Sequence, residues 1–330
     1  MPSSVRVGTG GGQPAVPVEW DKLPIAPAPR VRHHLREMSL RLRQRTFPLF
    51  QRLGFHIVPN RFNQPIPDTR TLKPSLWERP SQLVGVKMNA TAQLRLLSEL
   101  AGRYKSEWDS FPLERTTPNR YYVNNRIFES VDGEMLYAMI RRDKPRRIVE
   151  VGSGFSTLLS AQAIARNTRD DPHYRCELIA IEPYPSASLR SDTGLTRLID
   201  TEVQEVPLSL FTSLEPNDIL FIDSSHVLRI GGDVQYECLE ILPRLARGVL
   251  VHFHDIFFPS EYPPDTIFKG YQFYSEQYIV QAFLSFNDAF EILWGGSFMH
   301  LTHPDLLEAA FASYSRQVRW PGSLWLRRAG

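Results

Sequence analysis

The chain has 330 residues, 42% of them hydrophobic and 22% charged, and a formal net charge of +2. That mixture suits one large globular α/β domain plus an extension, and it excludes a strong overall field that would draw the protein to nucleic acid or lipid. No apolar run reaches the roughly 18 residues of a membrane span. The N-terminus lacks an apolar core of signal-peptide length, and Cys176 and Cys238 read as buried free thiols of a reducing compartment, so the expected location is cytoplasmic.

Residues 1–29 are rich in Gly and Pro and bury too little to offset their ordering entropy, which predicts a flexible arm. Residues 30–115 read as a largely helical or irregular extension that serves as a lid or a dimerisation element, with a homodimer as the implied assembly. Val31, Leu35, Met38 and Leu42 recur at helical spacing among arginines, and Pro48 should end or kink that helix. A basic amphipathic helix suits a membrane surface or an acidic partner. The nearly balanced charge favours packing on the helix's own domain or on a second subunit. Residues 55–80 are punctuated by proline and irregular. TAQLRLLSELAGRYK at 91–105 predicts a helix capped by Thr91, with Leu94, Leu97 and Leu100 as its apolar stripe.

From residue 116 to 330 the pattern is different. A helix, DGEMLYAMIRRD, precedes the strand-like RIVEVG. ELIAIEP, DILFID and GVLVHFHD are also strand-like, LIDTEVQEV reads as an extra, more exposed strand, and FEILWG and SLWLRRA read as two late strands. TLLSAQAIARN, GDVQYECLEILPRLA and YSEQYIVQAFLSF are helix-like. Alternation of this kind predicts an α/β fold with a doubly wound, mostly parallel, seven-stranded Rossmann-like sheet. Ligands of such sheets bind outside the carboxyl ends of the strands, where strand order reverses.

The first strand runs into Glu150-Val-Gly152-Ser153-Gly154-Phe-Ser156-Thr157, a glycine turn that opens a helix. Such a turn lets backbone approach a ligand closely and aims the free N–H groups of the helix at it. The second strand ends in Glu182-Pro183, where an acid can accept both hydroxyls of a ribose. These residues permit either a nicotinamide dinucleotide or another adenosyl cofactor. The dinucleotide fingerprint wants a third small residue where this chain has Thr157. Glu150-x-Gly152-x-Gly154 together with Glu182 resembles the first two motifs of class I S-adenosylmethionine-dependent methyltransferases, and the resemblance spans about residues 118–330. It implies that Gly152, Ser153, Gly154 and Ser156 surround the methionine part of S-adenosyl-L-methionine, that Glu182 and Pro183 meet the ribose, and that Glu150 orients the loop or the methionine amine. Asp223 and Ser224 complete the implied cofactor set.

The fourth strand ends in Asp223-Ser224-Ser225-His226 and the fifth in His252-Phe253-His254-Asp255. IDSSH, GGD, LPRL, HFHDIF and YSEQY resemble the small-molecule O-methyltransferases of the methyltransferase 24 type, laid out like the catechol and macrolide-sugar enzymes. In several such relatives acids at these strand ends bind a divalent metal, and the matching residues here are Asp223, His254 and Asp255. Imidazole departs from the oxygen ligands that magnesium prefers and suits a softer ion. Without a metal, His226 or His254 is the candidate base, oriented by a carboxylate such as Asp255. His252 reads as a core histidine, and His300 and His303 as packing residues. The aromatic, Pro-rich FFPSEYPPDTIFKGYQFYSEQY and residues 55–80 are the candidate walls of the acceptor pocket. The resemblance thus implies methyl transfer to a small-molecule hydroxyl. The competing functions are a nicotinamide-dependent oxidoreductase and a non-catalytic adenosyl-binding protein. No basic stripe with interleaved aromatics marks a nucleic-acid surface.

Overall fold

The computed structural model describes Gln44, residues 46–186, Leu189 and residues 193–330. The chain divides into two compact units, Met1–Pro67 and Asp68–Gly330. In the first, residues 46–52 are helical, with Pro48 inside the helix instead of ending it. The flexible arm expected at 1–29 and most of the basic helix expected over 31–47 lie outside the described residues.

The second unit holds the sheet. Its strands are β1 (Arg147–Val151), β2 (Glu177–Ile181), β3 (Arg197–Ile199), β4 (Ile219–Ile222), β5 (Leu250–Phe253), β6 (Phe290–Gly295) and β7 (Leu324–Arg328). They lie in the order β3-β2-β1-β4-β5-β7-β6, with β7 antiparallel to both of its neighbours. The predicted seven-stranded, mostly parallel sheet is therefore the one found. β3 is shorter than LIDTEVQEV suggested, because Val203–Glu205 closes a 3-10 turn. A short edge strand leaves few unpaired backbone groups exposed.

Ile219-Leu-Phe-Ile222 and Leu250-Val-His-Phe253 are buried along their whole length, as strands covered on both faces must be. Alternate residues feed two cores. Ile148, Leu178, Ile219 and Leu250 face one, and Val149, Ile179, Leu220 and Val251 face the other. The first core is closed by α1 (Ala90–Trp108), α2 (Asp132–Asp143) and α3 (Phe155–Asp170). The second is closed by α4, which begins at Asp233–Tyr236 and passes through a π turn at Glu237–Ile241, and by α5 (Glu276–Leu284).

Leu97 and Leu100 of α1 are buried against α2 and the sheet, as their spacing predicted. This packing puts α1 in the same compact unit as the sheet, Asp68–Gly330. Thr91 does not cap α1. Asn89 occupies the N-cap in the left-handed region and spends its side chain on the Ile292 carbonyl, at 3.3 Å. Cys238 is buried, Cys176 is half-buried and both are free. Among the described residues no helix is long and apolar enough to cross a membrane.

Candidate active site

The strand order reverses between β1 and β4, and the loops that leave the sheet there line up. The first residue after each strand continues the ladder. Gly152 N–H donates to Ile181 O at 3.0 Å, Glu182 N–H to Ile199 O at 3.0 Å, Asp223 N–H to Val151 O at 2.9 Å and His254 N–H to Ile222 O at 3.0 Å. Backbone pairing alone thus sets Gly152, Glu182, Asp223 and His254 in one row along the rim.

Gly152 takes φ +82°, and Gly154 leads directly into α3. Thr157 caps that turn, accepting from Gly154 N–H at 3.0 Å. Glu150 is 1% exposed beneath the loop and accepts from Ser156 Oγ at 2.5 Å, while its other oxygen, Oε2, has no partner. Burial pushes its carboxyl up to about 8 against the hydrogen bonds from Ser156 and Thr157. Glu182 accepts from Tyr184 N–H at 2.8 Å and from Ser153 Oγ at 3.4 Å, which ties the β1 and β2 loops together.

Two cavities meet at this seam. One, of about 250 Å³, is lined by Gly152, Glu182, Pro183, Asp223 and Ser224, together with Val203 and Gln204. The other, of about 390 Å³, takes in Ser153, Gly154 and Glu182 from the far side of the glycine loop, with Tyr122 and Phe155. Gln204, which sequence reasoning did not single out, carries an Oε1 with no partner at the wall of the smaller cavity. Its only earlier signal was its place just past β3.

At the rim of β4 and β5 the other candidates converge. Asp223 Oδ1 lies 3.2 Å from His226 Nε2 and 3.6 Å from His254 Nδ1. Asp255 closes the square, at 3.5 Å from His226 Nε2 and 3.6 Å from His254 Nδ1. Two further acids stand outside it. Glu276 Oε2 is 2.8 Å from His226 Nδ1, and Asp132 Oδ2 is 3.6 Å from His254 Nε2. Neither was singled out from sequence: Glu276 stood unremarked within YSEQY, and Asp132 lies on a helix far from β4 and β5 in the chain. His226 and Asp255 both have positive φ, at +58° and +54°. Non-glycine residues hold such angles at a cost, and that cost concentrates at functional sites.

Burial alone would depress both imidazoles. For His226 the hydrogen bonds to Asp223 and Glu276 override burial, and for His254 the charges of Asp223 and Asp255 do so, so both rings sit well above the ordinary histidine value. Burial would raise Asp223, but the two imidazolium rings hold it well below the carboxylate range. Asp223, His254 and Asp255 pair as acid with base, and among the described residues no three His, Cys, Asp or Glu side chains are arranged to hold a metal ion. The set offered by the resemblance does not fit a metal in this arrangement. His252 is a core residue stacked 4.0 Å from Phe221 and bonded to Ser323 Oγ, and His300 packs on Trp320.

Residues 149–256 match the family model described as a methyltransferase domain. An uncharacterised protein of Archaeoglobus fulgidus is 36% identical over 180 residues, which cover 51% of this chain and 77% of that protein. The crystal structure of an O-methyltransferase from Bacillus cereus in complex with SAH aligns over 72% of this chain and 90% of its own, with 14% identity and a TM-score of 0.34. A likeness that distant carries no weight for function.

Proposed function

The chain belongs to the class I S-adenosylmethionine-dependent methyltransferases, and from that premise we propose that it methylates a hydroxyl of a small-molecule acceptor. The observation that carries the proposal is the double role of Asp223. It lines the cavity beside the glycine loop and also contacts both rim histidines, so a proton-handling cluster abuts the cofactor cleft.

The residues present suit the cofactor. Glu150 keeps one buried carboxylate oxygen without a partner under the loop, which an ammonium would satisfy. A Cβ built on Gly154 meets nothing within 4 Å, so the turn leaves open space where a ligand can pass. Glu182 would take the ribose hydroxyls, with Pro183 and Ser224 as walls, and the Gln204 oxygen would accept from an adenine amine. When bound, S-adenosylmethionine supplies an electrophilic methyl group on sulfur.

The chain must then place the acceptor oxygen and remove its proton. We assign that task to His226 in its neutral form, with Nε2 facing Asp223 and Asp255. As the oxygen–methyl bond forms and the sulfur–methyl bond breaks, the hydroxyl proton passes to Nε2, and the imidazolium formed is stabilised by the two carboxylates. His254, held between Asp132, Asp223 and Asp255, supplies a second positive charge that keeps Asp223 ionised.

The test is methyl transfer from labelled S-adenosylmethionine into a metabolite extract. Incorporation into small molecules that depends on His226 is expected. Binding of S-adenosylhomocysteine without any incorporation would instead favour a non-catalytic adenosyl-binding protein, and binding of NAD in its place would favour an oxidoreductase.

A further inference from the structure

We propose that Glu276 is a positioning residue of this site: from the first turn of α5 it fixes the ring of His226 and acts on methyl transfer through that ring. This rests on the reading of His226 as the group that takes the acceptor's proton.

Glu276 is 1% exposed, and its side chain makes one hydrogen bond, between Oε2 and His226 Nδ1 at 2.8 Å. Its Oε1 has no partner. A buried carboxylate with half its acceptors unused is costly, and an apolar side chain of similar size would serve packing better. Glu237, on the π turn of α4, adds to the cost. It too is fully buried with a partnerless Oε1, and burial together with the charge of Glu276 pushes its carboxyl well above the usual range. In that dry region the imidazole of His226 is the counter-charge on which Glu276 depends. Packing alone does not explain why an acid stands there.

The same turn of α5 also grips the backbone of His226. The N–H groups of Ser275 and Glu276 both donate to the His226 carbonyl, at 2.8 and 3.1 Å. Leu228 N–H donates to Ser275 Oγ at 2.9 Å. These bonds hold a residue whose φ of +58° is unfavourable by itself. The ring is then clamped on its remaining sides by Tyr274, 4.8 Å away, and by Asp223 and Asp255. A carboxylate on Nδ1 keeps a proton there and so leaves Nε2, the other nitrogen, facing Asp223 and Asp255.

The test combines three readouts on the full chain. Binding of S-adenosylhomocysteine by calorimetry reports an intact fold and is expected to change by no more than about twofold in every variant, because Glu276 lies outside both cavity linings. Methyl incorporation into a metabolite extract is expected to fall about tenfold or more in Glu276→Ala, and to recover in part in Glu276→Gln, whose amide oxygen still accepts from Nδ1. The double variant His226→Ala/Glu276→Ala should be no slower than His226→Ala. In nitrogen-labelled histidine spectra the Nδ1-bound proton of His226 should vanish in Glu276→Ala and persist, shifted, in Glu276→Gln. Should the alanine variant not fold, the glutamine variant decides: an unmoved His226 signal overturns the proposal. So does normal incorporation by Glu276→Ala, or an equal loss with and without His226. Full incorporation by His226→Ala would instead overturn the assignment of His226 itself, a separate and distinguishable failure.

Discussion

A Cβ built on Gly152 would stand 2.0 Å from the backbone carbonyl oxygen of Asp223. With φ at +82°, that glycine is required by the junction of β1 and β4 before any ligand arrives. Gly154 differs: its φ is 174°, open to any residue, and a Cβ there meets nothing within 4 Å. Gly152→Ala should therefore lower stability by roughly 1–3 kcal/mol or more, since strain and the clash add. Gly154→Val should fold with a nearly unchanged melting temperature yet lose affinity for S-adenosylhomocysteine. Thermal unfolding and calorimetry on both variants separate the two roles. Equal loss of stability in both would show that the distinction is mistaken.

Glu182 reaches both loops, through Tyr184 N–H and Ser153 Oγ. Removing it as Glu182→Ala should weaken S-adenosylhomocysteine binding by roughly 1–3 kcal/mol, the scale of a lost charged hydrogen bond. Unchanged affinity in a folded variant would move the ribose elsewhere.

Glu150 links the cofactor to protons. Burial raises its carboxyl to about 8, so the free protein holds it protonated at pH 7. An arriving ammonium favours the carboxylate, and binding should release a proton. Calorimetry in buffers of different ionisation enthalpy measures that release, and Glu150→Gln should abolish it. In the free protein the raised value also means that stability is lost as pH rises from about 4.5 toward 8, by an amount on the order of a few kcal/mol. Glu150→Gln should flatten that slope. A wild-type protein that releases no proton on binding would refute the linkage.

His226 and His254 are both held above the ordinary histidine value. Their contribution to stability is complete below the unfolded-state value and fades as pH climbs through the folded-state one. Proton abstraction by His226 needs its neutral form, so methyl transfer should rise over the same alkaline range in which this stabilisation is lost. The rise should be absent from His226→Ala. A rate that is flat with pH above neutrality in the wild type would remove His226 as the base.

Because Asp223, His254 and Asp255 pair with one another in acid–base contacts, methyl transfer should survive a strong chelator nearly unchanged. A loss that an added divalent ion restores would show that these side chains rearrange around a metal.

Most of the fold was legible because its signals are local. Runs such as Ile219–Ile222 and Leu250–Phe253 are apolar enough to be buried on both faces, and the glycine turn after β1 breaks the pattern where a helix must start. The same logic drew attention to Glu182, Asp223, His226 and Asp255, since each stands one to four residues past a strand, and to Glu150 near the end of β1. Element ends were read less well. Thr91 looked like a cap, yet Asn89 holds that place because its amide finds Ile292 on β6, a partner 203 residues away.

The chain's own pattern therefore determined the strand-helix alternation and the row of rim residues. Only tertiary structure decided what those residues face. The distance from Glu276 to His226 spans 50 positions in sequence and 2.8 Å in space, and Asp132 meets His254 from a helix that precedes β1. Charge state follows from such neighbours, not from residue type. An imidazole ringed by carboxylates is held well above the usual range, while His252, two residues before His254 but fully buried beside it, is driven well below that range. Sequence spacing carries no information about burial of that kind, because it depends on which distant helix covers the strand end.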